Sequence, residues 1–152
     1  MSLIDDGKKA DKNTFDTTRK VHDTCVVCGD NNPAGLKIKF VTKEDESVTA
    51  EFYCPVSMEG YKGYLQGGIT ACLIDSAMAN CLFARGVLGF TAELNIKYKS
   101  PVKCGQSVTV NAKINKAYPP LYLISAEILQ NGNIVVTADA KFMESEALNE
   151  NK

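Results

Sequence analysis

The 152-residue sequence predicts an α+β fold, a curved antiparallel sheet of about six strands wrapped around one central helix. Two observations lead there. Several segments alternate apolar and polar residues with period two, and most are joined by short turn signals. Between the second and third of them lies a long stretch, Gln66 to Arg85, that is apolar on nearly every helical face. Half-covered strands need something to lie on, and a helix that is apolar all round needs to be enclosed.

Taken in order, residues 1–24 read as a polar arm, residues 25–145 as the domain and residues 146–152 as a polar tail. The segment "CVVCGDNNPAGL" is a loop, marked by Asn32-Pro33 and Gly35. Leu36, Ile38 and Phe40 alternate with Lys37 and Lys39, which predicts a first strand. The turn "KEDES" leads to a second, with Val48, Ala50, Phe52 and Cys54 facing inward. The helix follows and stops at Gly86. Four strands come next, with inward sets Ala92-Leu94-Ile96-Tyr98 and Val108-Val110-Ala112-Ile114, then the run "LYLISAEIL". A tight turn at Asn131-Gly132-Asn133 leads to Ile134, Val136, Ala138, Ala140 and Phe142. The hairpin-like connections predict a meander.

Composition narrows the function. Seventeen basic and 18 acidic residues leave a net charge of −1, which gives no electrostatic footprint for nucleic acid or an anionic membrane. No segment is apolar enough over enough length to span a bilayer, and the N-terminus has no apolar signal core. The expectation is a cytoplasmic protein with six reduced cysteines. Cys72 and Cys81, nine positions apart on the helix, would be about 13 Å apart, too far to bridge. With His22 the only histidine, a triad built on imidazole is disfavoured. His22, Cys25 and Cys28 offer three ligands of a zinc site or a redox pair. A structural zinc wants four ligands, and no second pair follows, so the motif is read as a loop whose thiols pack, with no metal expected.

Two features carry the chemistry. Asp75 is the only charged side chain between Lys62 and Arg85. A carboxylate in such a helix must be paired, neutralised or functional. Gly67 and Gly68 open the helix, where backbone N–H groups lack intrahelical partners and glycine permits a close approach. Such donors suit a developing oxyanion, and tight helix–sheet crossing is the plainer reading of the same glycines.

Three stretches, "GYLQGGITACLIDSA", "GFTAELNIKYKSPVKCG" and "CVVCGDNNPAGLKIKF", resemble the hotdog-fold acyl-CoA thioesterases of the phenylacetate-pathway and 4-hydroxybenzoyl-CoA type. The likeness covers roughly residues 25–143. Gln66 takes the place of the family's histidine in His-Gly-Gly, and Gly60 stands near the place of a common asparagine. The resemblance implies thioester hydrolysis by at least a homodimer, with a homotetramer left open, and a site between protomers. It implies Asp75 as general base or nucleophile. It gives the Gly67 N–H, with Gln66, the carbonyl oxygen, and it has Thr91 reaching the acid across the interface to orient the water. Gly68, Met78 and Leu82 would contact substrate. Lys97 and Lys99, with Lys103, would meet CoA phosphates; exposed lysines also guard strands against edge pairing, and both readings stay open. No cofactor is implied, since CoA arrives as part of the acyl-CoA or acyl-carrier thioester. The replacement of histidine by Gln66 keeps a second reading in play: a non-catalytic acyl-CoA or acyl-carrier binding protein.

Overall fold

The computed structural model describes residues 20–151. Among them run β1 (Val41–Thr42), β2 (Val48–Tyr53), α1 (Gly67–Phe83), β3 (Gly89–Tyr98), β4 (Ser107–Tyr118), β5 (Leu121–Gln130) and β6 (Asn133–Glu144). The six strands form one antiparallel sheet in the order β1-β2-β4-β5-β6-β3. This corrects the expected meander. The helix carries the chain across the sheet, so β3 lands at the far edge beside β6 rather than next to β2.

The helix packs against β2, β3, β4 and β5. Leu73, Ile74, Ala77, Met78, Cys81 and Leu82 are fully buried. From the sheet, β5 alternates without a break: Tyr122, Ile124, Ala126, Ile128 and Gln130 face the core. The buried Gln130 amide is satisfied twice, donating to the Lys103 carbonyl and accepting from the Lys103 N–H, each at 2.9 Å. Each fully buried large aliphatic side chain stabilises the fold by about 1.5–3 kcal/mol.

The helix is not enclosed on every face. Gly67 and Gly68 are exposed, and Ala71, Cys72 and Asp75 are half-buried. Gly68, Ala71, Cys72 and Asp75 lie three and four apart, so they form one stripe of small residues open to the outside.

Two strand expectations fail for local reasons. Leu36 to Phe40 joins no sheet strand, since Lys37 has φ of 53° and the Leu36 and Ile38 N–H groups donate to the Val26 and Val27 carbonyls. Ile38 and Phe40 are still buried, so the periodicity marked the face correctly. Ile134 is 44% exposed. The β5–β6 pairing shifts register between Ile128 and Leu129, leaving Val135 as an extra residue and turning Ile134 outward.

Most of the arm lies outside the described residues, and within it Val21 and His22 pack against the core. At the other end, Glu146–Asn151 coils into a 3-10 helix, with Leu148 against the core. None of the six cysteines is in a disulfide. Burial pushes the Cys54 thiol up to about 11, helped by its neighbour Cys104, and the Cys81 thiol up to about 12.

Candidate active site

The helix start is set by Gln66. Its backbone is extended (φ −62°, ψ 133°), and its side-chain Oε1 accepts from the Gly68 and Ile69 N–H groups, the latter at 3.1 Å. Glutamine thus does the work usually given to a shorter N-cap side chain. Gly68 makes this possible, because a Cβ there would lie 2.7 Å from Oε1. The N–H of Gly68, a residue expected to contact substrate, is therefore taken by the cap.

Gly67 differs. Its N–H has no hydrogen-bond partner among the described residues, while its carbonyl accepts from the Tyr98 hydroxyl at 2.8 Å. A Cβ on Gly67 would meet only the Tyr98 ring, at an ordinary 3.8 Å. The protomer's own packing thus does not require glycine here. Sequence reasoning missed Tyr98, although the alternation of β3 had placed it on the inner face.

Asp75 lies on the open stripe, half-buried. Thr91 Oγ1 donates to its Oδ1 at 2.6 Å, within one chain. This corrects the expectation that Thr91 approaches the acid from a second protomer. The contact depends on a bulge. Thr91 pairs with Phe142 and Glu93 with Lys141, so Ala92 is an extra residue. Phe142 is buried and Lys141 is exposed. Directly opposite residues share a face, so the bulge turns Thr91 to the inner side while Glu93 faces out, in an ion pair with Lys141 at 3.0 Å.

The remaining expectations divide. Met78 and Leu82 sit in the core at 0% exposure, so neither lines an open acyl channel in the protomer. Lys97, Lys99 and Lys103 are exposed. Lys97 shares its parity along β3 with Glu93, which places it on the outer face, away from the helix start. His22 stacks edge-on against Phe83, ring centroids 5.0 Å apart.

Gly67 and Asp75 lie eight positions apart on α1, about 12 Å along its axis. An oxyanion donor and a base acting on one carbonyl each need to be within about 3 Å of their atoms, or one water further. Within one protomer the two groups are thus held well apart. The sheet offers a way to join two copies. β3 is a ten-residue edge strand with one side unpaired among the described residues, and it carries Phe90 and Tyr98 more than half exposed.

Comparison with known proteins agrees with this architecture. The family model described as thioesterase superfamily matches residues 62–119, from before the helix start through β3 to the turn after β4. The chain is 32% identical over 94 residues to acyl-coenzyme A thioesterase 13 of Mus musculus, covering 60% of this chain and 67% of that one. It is 32% identical over 77 residues to acyl-coenzyme A thioesterase THEM4 of Rattus norvegicus, covering 51% of this chain and 33% of that protein, so it spans about a third of that relative's length. Among solved structures, a thioesterase superfamily protein superposes with a TM-score of 0.72 at 22% identity, over 77% of this chain and 61% of that one. A hypothetical thioesterase protein of Streptococcus pneumoniae, solved with coenzyme A, gives 0.67 at 19% identity, over 71% and 85%.

Proposed function

Since the chain belongs to the thioesterase superfamily, with its hotdog fold, we propose that it hydrolyses acyl-CoA thioesters in a site completed by two protomers. The observation that carries this is the Asp75–Thr91 pair on the open stripe of an otherwise buried helix. Asp75 accepts the proton of an attacking water, or attacks the carbonyl itself, and Thr91 fixes the carboxylate's direction. The Gly67 N–H of the other protomer, at the positive end of its helix, takes the developing oxyanion. The Gln66 side chain uses its oxygen as a cap and keeps its amide N–H groups for the same carbonyl.

A twofold axis that sets the two helices antiparallel along their small-residue stripes lays each helix start beside the other's Asp75. Joining β3 to β3 satisfies both open edges in one step. This sharpens the expected division of labour: Thr91 serves the acid of its own chain, and the helix start crosses the interface.

The test is release of free CoA thiol across a panel of acyl-CoAs, comparing the protein with Asp75→Asn and Asp75→Ala. A rate equal to that of the Asp75 variants, with acyl-CoA still bound, would sink the hydrolase reading. It would leave the binding-protein reading, which has its own support: Gln66 Oε1 is committed to the cap, and the chain's only histidine sits against Phe83.

A further inference from the structure

The N-terminal loop holds a feature that thioester chemistry does not use. The His22, Cys25 and Cys28 ligand atoms all lie within 4.8 Å of one another. His22 Nδ1 is 3.4 Å from Cys28 Sγ. A tetrahedral zinc ion, with Zn–S of about 2.3 Å and Zn–N of about 2.0 Å, sets its ligand atoms about 3.5–3.8 Å apart. The His22–Cys28 separation is close to that spacing, and 4.8 Å bounds the other two.

The surroundings suit thiolate sulfur. The Val27 N–H donates to Cys25 Sγ at 3.4 Å, and the Gly29 N–H to the Cys25 carbonyl at 2.9 Å, which folds Cys-x-x-Cys-Gly into a tight knuckle. Gly29 is needed there: a Cβ would lie 2.4 Å from the Asp23 carbonyl oxygen and from the Cys25 nitrogen. From the helix, the Asn80 amide donates to Cys28 Sγ at 3.6 Å and to the Ser76 carbonyl at 2.8 Å. Asn80 is 1% exposed, and its Oδ1 has no partner. A buried amide turned to give N–H to sulfur, at the expense of its own oxygen, is the outer-shell contact that a metal-bound thiolate needs.

We infer that His22, Cys25 and Cys28 form a site for a soft divalent cation of the zinc class, with three protein ligands and a fourth position left to water. This departs from the sequence expectation, which dismissed the motif for want of a fourth ligand. Among the described residues no fourth His, Cys, Asp or Glu joins the group. His22 and Cys25 are only half-buried, so the fourth position has access to solvent. On binding, the two thiols lose their protons to solvent and the imidazole binds through its neutral nitrogen. Asn80 lies five positions after Asp75, about 140° around the helix, so the cation sits behind the helix and away from the acid. Its effect is to pin residues 22–28 to the half of α1 that carries Asn80 and Phe83.

The test uses the full chain with zinc alone as the probe. Protein purified without chelator is analysed for metal, stripped, and titrated with zinc against a chromophoric chelator. Cobalt is substituted in parallel to read thiolate-to-metal absorption in the near ultraviolet. About one zinc per chain, at least a tenfold loss of affinity in Cys25→Ser and His22→Ala, and a melting temperature that falls by several degrees on stripping would support the site. Cys25→Ser alters a half-exposed position and leaves the buried Cys28 in place. No uptake by stripped wild type, equal uptake by the variants, or a Cys25–Cys28 disulfide in protein kept under reducing conditions would overturn it. Thiol release from acyl-CoA is a separate readout, so failure of the hydrolase reading leaves this result standing.

Discussion

Thr91 Oγ1 donates a 2.6 Å hydrogen bond to Asp75 Oδ1, and the extra residue Ala92 is what turns the hydroxyl toward the helix. The pair joins a helix stripe to an edge strand, so the acid's orientation depends on the register of the sheet. Asp75→Asn should keep the fold and cut hydrolysis by at least about 100-fold, the scale of losing a general base. Thr91→Val should cost about tenfold, the worth of one hydrogen bond. Both are read as kcat/KM from thiol release. Full activity in Asp75→Asn would remove Asp75 from the chemistry.

Gly67 offers a clean removal of one donor. Proline is well tolerated at the first helical position, and Gln66 already has the extended backbone that proline asks of its predecessor. Gly67→Pro should fold normally by circular dichroism and lose about 100-fold or more in kcat, as for an oxyanion-hole donor. An unchanged rate in a well-folded Gly67→Pro would place the oxyanion elsewhere.

The proposed sharing of the site between two protomers makes a mixing prediction. Asp75→Ala and Gly67→Pro homodimers should each be nearly inactive. Unfolded together and refolded, they form mixed dimers in which one of the two sites is intact, and activity should return to about a quarter of wild type if they pair at random. No recovery, with mixed dimers shown by native mass spectrometry, would mean that each chain works alone.

Ala71 sits on the open stripe, so Ala71→Arg should leave each protomer folded but separate the proposed dimer. Light scattering would show the monomer mass, and hydrolysis should fall with it. A dimer that survives this change would join through another surface.

Gln66→Ala removes the cap and should cost about 1 kcal/mol, or about 3 °C in melting temperature. Gln66→His should fold and hold or raise the hydrolytic rate, because imidazole both accepts and donates. Loss of acyl-CoA binding in Gln66→His would show that the amide makes a contact imidazole cannot.

Much of this was legible in the sequence because burial writes itself as period. The alternation of β2, β4 and β5 and the apolar helix gave the layers, and Asp75 stood out as a lone charge. The helix face that stays open was not legible, because Gly68, Ala71 and Cys72 read the same whether core or partner covers them. Bulges were hidden too. At Ala92 and Val135 one added residue shifts the inward set, which pairing shows and composition does not. The capping role of Gln66 was masked by its match to a histidine position. His22, Cys25 and Cys28 were visible as spacing, but their convergence and the Asn80 contact depend on a helix more than 50 positions away.

The far-edge position of β3 also orders the birth of the site. β3 is made before β4, β5 and β6, yet its only sheet partner among the described strands is β6. Its pairings therefore span the last three strands and carry a high cost in loop closure. During synthesis, Thr91 leaves the ribosome long before Phe142, the residue opposite it in the sheet. A chain halted before β6 has its helix and its acid but nothing to fix the register that aims Thr91. The Asp75–Thr91 contact is thus among the last things the chain acquires, and a chain halted before β6 lacks it.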